Sequence, residues 1–71
     1  MKLITAVNDL DTIFEIDTEG QPFPDVPVQF MIEGEPVVVT EILARQGNII
    51  AVRVERGAYA LHQKQTKIQD L

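Results

Sequence analysis

Hydrophobic and polar residues alternate most regularly in the middle of the chain. Val26, Val28, Phe30 and Ile32 are interleaved with Pro27, Gln29, Met31 and Glu33, the period of two that a half-buried strand requires because successive side chains point to opposite faces. Pro27 has no N–H to give to a neighbouring strand, so this strand is expected to begin at an edge. Glu33-Gly34-Glu35-Pro36 reads as a turn, and Val37-Val38-Val39-Thr40-Glu41-Ile42-Leu43 follows with the β-branched density of a second strand. The two form a hairpin. Keeping Val37, Val39 and Ile42 on one face breaks strict alternation, which predicts a β-bulge or sharp bend near Thr40 and Glu41. Arg45-Gln46-Gly47-Asn48 supplies the next turn, with Gly47 or Asn48 taking the positive φ that a tight hairpin needs. A third strand over 49–55 then turns Ile50, Val52 and Val54 inward.

Arg56-Gly57 turns the chain again into Ala58-Tyr59-Ala60-Leu61-His62, where Tyr59 and Leu61 share one face and the alanines the other, a fourth strand of the meander. Gln63-Lys64-Gln65 has the length of a single 3₁₀-like turn, and 66–71 forms a short closing strand with Ile68 in the core. The amino-terminal third is read as a strand over Leu3 to Val7 and a second one using Phe14 and Ile16. A short capped helix through Leu10, Ile13 and Phe14 is the alternative for 8–16. Asp17 to Pro22 is a loop.

The pattern as a whole predicts one domain over residues 1–71 and a mainly β fold. The expected form is a small five- to six-stranded antiparallel, partly closed barrel of SH3-like or OB-like pattern, with one short helix or 3₁₀ turn allowed. That likeness is one of fold pattern only, and such barrels carry many unrelated functions.

Size changes the picture first. At 71 residues without cysteine, the chain is near the lower limit of autonomous folding and lacks a disulfide staple, so packing or self-association must supply its stability. A hydrophobic fraction of 45% argues against disorder. The start of the chain carries one lysine and too short an apolar run for a signal peptide, and no stretch approaches the roughly 20 apolar residues of a membrane span. The expected location is the cytoplasm, which the missing cysteines fit.

Charge is acidic overall and uneven. Nine acidic residues face one lysine in 1–41, and five basic residues face two acidic ones in 42–71, so a net charge of −5 divides into −8 and +3. Such a split marks a nucleic-acid face, a charge-matched partner or head-to-tail self-association, unless folding mixes the charges.

Catalytic chemistry is sparse. There is no serine, cysteine or tryptophan, which excludes the serine and cysteine triads, and none of the five threonines has a base beside it in sequence. His62 is the single histidine, a candidate proton carrier or metal ligand only in principle, since zinc needs about four ligands. An exposed or partly packed strand-end histidine is the expectation. Asp9, Asp11, Glu15, Asp17 and Glu19 make an acidic stretch, but no window has the spacing of a helix-loop-helix calcium loop. The glycines fall one per turn and form no phosphate loop. We expect no enzyme activity, no cofactor and no metal.

Two surfaces remain as candidates. Arg45, Arg53, Arg56, Lys64 and Lys67 form the only basic group, a candidate phosphate-binding patch, although spare aromatics for base stacking are lacking. Met31, Val38, Ile49, Ala51, Ala58 and Ala60 are left on outward faces and form a candidate protein interface. The expected function is a non-catalytic binding or structural module that acts through protein–protein contacts, self-associating as a homo-oligomer or serving as an accessory component of a larger assembly. The alternatives are a nucleic-acid-associated regulator using the basic group and an acidic inhibitor of a basic partner surface.

Overall fold

The computed structural model describes residues 1–57 and 61–70. Six strands are present in them: Lys2–Leu3 (β1), Ile13–Asp17 (β2), Val28–Ile32 (β3), Glu35–Gln46 (β4), Ile49–Arg56 (β5) and Gln69–Asp70 (β6). They make one antiparallel sheet in the order β1-β2-β5-β4-β3-β6. There is no helix among the described residues, and so none long and apolar enough to cross a membrane.

Two tight turns set the register of the long hairpins. Glu33 and Gly34 both lie at positive φ, 49° and 82°, between the paired residues Ile32 and Glu35, the backbone of a type I′ turn, whose twist matches that of the strands it joins. Gly47, at φ 59°, is the first central residue of the turn between Gln46 and Ile49, as glycine is in a type II′ turn. β4 is long enough to serve two neighbours. It pairs with β3 as far as Val39 and with β5 from Val37 to Gln46. It bends because Thr40 and Leu43 are extra residues in the ladder with β5: the register shifts between Val39 and Glu41, as the alternation predicts, and again between Ile42 and Ala44.

The bends curl the sheet into a half-open barrel. The segment before β6 closes one end: Lys67 bridges Lys2, the Leu3 N–H donates to Thr66 O (2.9 Å), and the Ile68 N–H donates to Met1 O (3.0 Å). At the other end β4 runs on past β3, and its residues 40–46 have no backbone bond on that edge among the described residues. The interior is filled by the expected alternating positions, Phe14 and Ile16, Phe30 and Ile32, Val37 and Val39, and Ile50, Val52 and Val54, with Leu3, Val7 and Ile68.

Several expectations are corrected. The strand expected over Leu3 to Val7 shrinks to two residues and an isolated bridge at Val7, because the chain bends at Ile4–Thr5 to bury Leu3 and Val7 while leaving Thr5 outside. By contrast, the strand expected through Phe14 and Ile16 is present as β2 after a turn at Asp9–Leu10, and the alternative helix over 8–16 is not formed. Val26 precedes β3 and is exposed. The turn after β3 takes only Glu33 and Gly34, so Glu35 and Pro36 already belong to β4, and Glu35 is buried. Of the proposed fourth strand, residues 58–60 lie outside the described residues; Leu61 is exposed and His62 buried, the opposite of the expected facing for Leu61.

Candidate functional site

Alternation continues past the last valine of β5. Since Ile50, Val52 and Val54 face inward, so does Arg56; and since Val39 and Val37 face inward on β4, so does Glu35. Val37 is paired with Arg56, which puts the two opposite charges at the same end of the barrel. Arg56 Nε donates to Glu35 Oε2 (3.0 Å) and Nη2 donates to Glu35 Oε1 (2.9 Å), a bidentate fork with side chains only 0% and 1% exposed. The guanidinium lies 5.1 Å from the centre of the Phe14 ring.

His62 joins the same carboxylate. Its Nε2 is 2.7 Å from Glu35 Oε1 and its Nδ1 is 2.9 Å from Glu33 Oε1. A carboxylate only accepts, so both contacts are hydrogen bonds when both ring nitrogens carry hydrogen, and the guanidinium and imidazolium then balance the two carboxylates. Glu33 reaches His62 from the strained first position of the type I′ turn. His62 is held by backbone as well, exchanging N–H···O bonds with Val7 of 2.7 and 2.8 Å. The expectation of an exposed or partly packed strand-end histidine is overturned: His62 is 2% exposed.

The network ends at the surface in a loop. Arg56 Nη1 donates to the carbonyls of Asn8 and Asp11, the latter at 3.1 Å. Asn8 Oδ1 in turn accepts from the Leu10 and Asp11 N–H groups (2.8 and 3.0 Å), and the Asn8 N–H donates to Asp11 Oδ2 (3.0 Å). This Asx turn leaves Leu10 at the tip, 80% exposed between Asp9 and Asp11. Beside it Leu61 is 67% exposed, on the rim of a shallow depression of about 280 Å³ lined also by Val7, Asn8, Asp11, His62 and Gln63. That volume is at the lower bound of small-molecule sites. No buried side-chain polar atom among the described residues lacks a partner, and no group of acids and histidine there is arranged to hold a metal ion.

The basic group does not gather. Arg56 is buried and Arg53 is paired with Glu41 at 3.2 Å. Lys64 and Lys67 lie in the segment that meets β1, whereas Arg45 sits at the far end of β4, with β2 and β5 between. Arg45 is the arginine that forms no ion pair among the described residues.

The apolar group divides in two. Met31 and Val38 are half-buried on the outer face of the β3–β4 hairpin, where Met31 faces Pro36 and Val38 faces Gln29. Ile49 and Ala51 stand at the other end of β5, opposite Gln46 and Ala44. The Arg53–Glu41 pair lies between these sets. Ala58 and Ala60 fall outside the described residues. The Ile49 set floors a second shallow depression, of about 310 Å³, lined by Glu15, Ala44, Arg45, Gln46, Ile49 and Ala51.

Hydrophobic alternation alone does not mark the network, because Glu35 and Arg56 lie one step beyond the last apolar inward position of their strands. No protein-family model, curated protein or solved structure matches this chain.

Proposed function

We propose that this chain is a non-catalytic binding module that works through protein–protein contacts, with a second copy of itself as first partner and a place in a larger assembly. The observation that carries this reading is an inversion of the usual distribution of side chains. The ionisable groups best suited to chemistry, Glu35, Arg56 and His62, are buried and bonded to one another, while Leu10, Leu61 and Ile13 stand 80%, 67% and 50% exposed. Large apolar side chains held in water favour a surface that covers them. A chain of 71 residues without disulfides gains most from such cover.

The network argues against catalysis on the same ground: both ring nitrogens of His62 are engaged by carboxylates, which leaves neither to take a substrate proton. Nucleic-acid binding draws no support from the scattered basic residues. We place the module in the cytoplasm on its cysteine-free composition. The test is solution mass by light scattering over a dilution series at low and moderate salt. Mass that rises with concentration is the expected result. A strict monomer at every concentration overturns the self-association reading and shifts it to a different protein, or to nucleic acid, as partner.

A further inference from the structure

We infer that two copies of this chain pair through the free edge of β4, antiparallel across a twofold axis, so that their half-open sheets join into one. The inference rests on the self-association reading and names an edge for it, away from the Leu10 and Leu61 end of the barrel.

The edge is left open by the way β4 is shared. Its ladder with β3 stops at Val39, while its ladder with β5 runs on to Gln46. On β5 the even-numbered residues bond toward β2, as in the Val54 N–H to Thr12 O bond of 2.9 Å, so Ile49, Ala51 and Arg53 bond toward β4. Their partners there are Gln46, Ala44 and Glu41. Ile42 and Arg45, opposite Val52 and Ile50, therefore turn their N–H and C=O groups the other way, and no backbone bond receives them among the described residues. Donors and acceptors aimed outward from an extended strand fit one kind of ligand, another extended backbone.

A second copy matches this edge. A strand beside its own twofold mate is antiparallel, and the register that sets Ile42 of one opposite Arg45 of the other lets each pair exchange both of its N–H···O bonds. The two residues that the bulge at Leu43 puts between them recur in the mate, so both pairs stay in step. The faces agree as well. Ile42 and Arg45 lie on the inner side with Val52 and Ile50, and Glu41 and Gln46, opposed in the same register, lie on the outer side with Arg53 and Ile49. No like charges oppose each other: Glu41 meets Gln46 and already holds Arg53 of its own chain at 3.2 Å, and Arg45 meets Ile42. In a chain of net charge −5, two copies approach along this balanced stretch with little repulsion. Leu43, 38% exposed at its centre, is covered by Ala44 of the second copy.

The bulge at Thr40 bends the strand on one side and the turn at Gly47 ends it on the other, which holds the contact to these two pairs. The contact is isologous and uses the edge up, so association ends at a dimer. Two ladder pairs and a leucine cover less than the ~800 Å² per partner of a stable complex, so the dimer is reversible.

The experiment uses the full chain and two variants, Arg45→Pro and Leu43→Lys. Arg45→Pro removes an N–H that points away from β5, a position where a strand tolerates proline, so amide dispersion and the urea midpoint are expected to stay near those of the wild type. Leu43→Lys keeps every backbone group and sets two lysines beside the axis. Sedimentation mass and amide deuterium exchange are followed from micromolar to millimolar concentration. The wild type is expected to approach the dimer mass, with exchange at Ile42 and Arg45 slowing as concentration rises and exchange at Leu10 unchanged. Each variant is expected to associate at least tenfold more weakly.

Folded variants that associate as the wild type does overturn the edge pairing and leave self-association standing. A wild type whose mass passes that of the dimer overturns the twofold arrangement. A wild type that is monomeric at millimolar concentration removes both. Leu43→Lys keeps the test decisive if Arg45→Pro fails to fold.

Discussion

Replacing Glu35 by glutamine changes one atom at the centre of the buried network. Glu35 Oε1 accepts from Arg56 Nη2 and His62 Nε2, and Oε2 accepts from Arg56 Nε. In Glu35→Gln the amide oxygen can take over at the first position, but the amide N–H₂ then faces the Arg56 Nε–H, donor against donor. One charge-assisted hydrogen bond is lost outright, and a guanidinium whose side chain is 0% exposed loses its counter-charge. Removing one partner of a buried pair costs about 3–5 kcal/mol, and the isosteric change belongs at the lower end, about 3 kcal/mol. At ~0.05–0.15 kcal/mol per residue a chain of this length has roughly 4–10 kcal/mol in total, so the variant loses a third or more of its stability. The midpoint of thermal unfolding should fall by about 12–24 °C. Urea unfolding with linear extrapolation measures the change directly. Combining Glu35→Gln with Arg56→Met should cost less than the two singles together by at least ~1 kcal/mol, because each change removes the reason the other is harmful. A single-variant loss below about 0.5 kcal/mol would place the pair with ordinary surface ion pairs and refute the reasoning.

Other changes probe other parts of the frame. A Cβ added at Gly57 would lie 2.5 Å from Pro36 Cγ and 2.7 Å from Pro36 O, and the Gly57 N–H already bonds that carbonyl at 2.8 Å. Gly57→Ala should therefore cost about 1–3 kcal/mol in urea unfolding; an unchanged midpoint would show that the β4–β5 ends part without loss. Glu33→Asn relieves the turn, since asparagine tolerates the φ of 49°, but it takes the carboxylate from the buried His62 Nδ1, so the variant should lose about 1 kcal/mol in urea unfolding. An unchanged or higher midpoint would show that the turn strain outweighs the Glu33 contact. Arg56→Lys keeps the charge but not the fork, so amide exchange at Leu10 and Asp11 should quicken while exchange within β3 stays slow. Equal protection in the loop would mean that the Asx turn holds itself.

The strands were legible wherever one face is apolar. β2, β3, β5 and the first half of β4 follow from period-two alternation, and the first bulge follows from the break in it at Thr40 and Glu41. The second bulge leaves no break in the pattern because Leu43 and Ala44 are both exposed, so neither is held to one face by burial. Parity also pointed at the network: counting on by two from Val54 reaches Arg56, and counting back by two from Val37 reaches Glu35. A charge at the end of a strand is ordinarily solvated, so the alternation was ended one step early on each side. His62 had no such local signal. Its burial depends on a bridge to Val7, and pairings across that much chain leave no periodic trace. The uneven charge of the two halves was half right as a guide. Folding sets Glu41 against Arg53 and Glu35 against Arg56, each an acid of the first half beside a base of the second, and leaves Asp9, Asp11, Glu15, Asp17 and Asp25 without an ion pair among the described residues.

The buried network also bears on how long the folded molecule lasts. Its bonds span 21, 27, 45 and 48 residues of chain, from Arg56 to Glu35, from His62 to Glu35, and from Arg56 to Asp11 and Asn8. The Glu35–Arg56 fork closes within the β4–β5 hairpin itself, whereas the bonds to His62 and to the Asn8–Asp11 loop require the barrel ends to have met and are expected to form after the rate-limiting barrier. Interactions absent at that barrier slow unfolding and leave the folding rate almost untouched. The bonds to His62 and to the loop thus act as a latch on a finished barrel, and loosening them should shorten its lifetime far more than it delays its assembly.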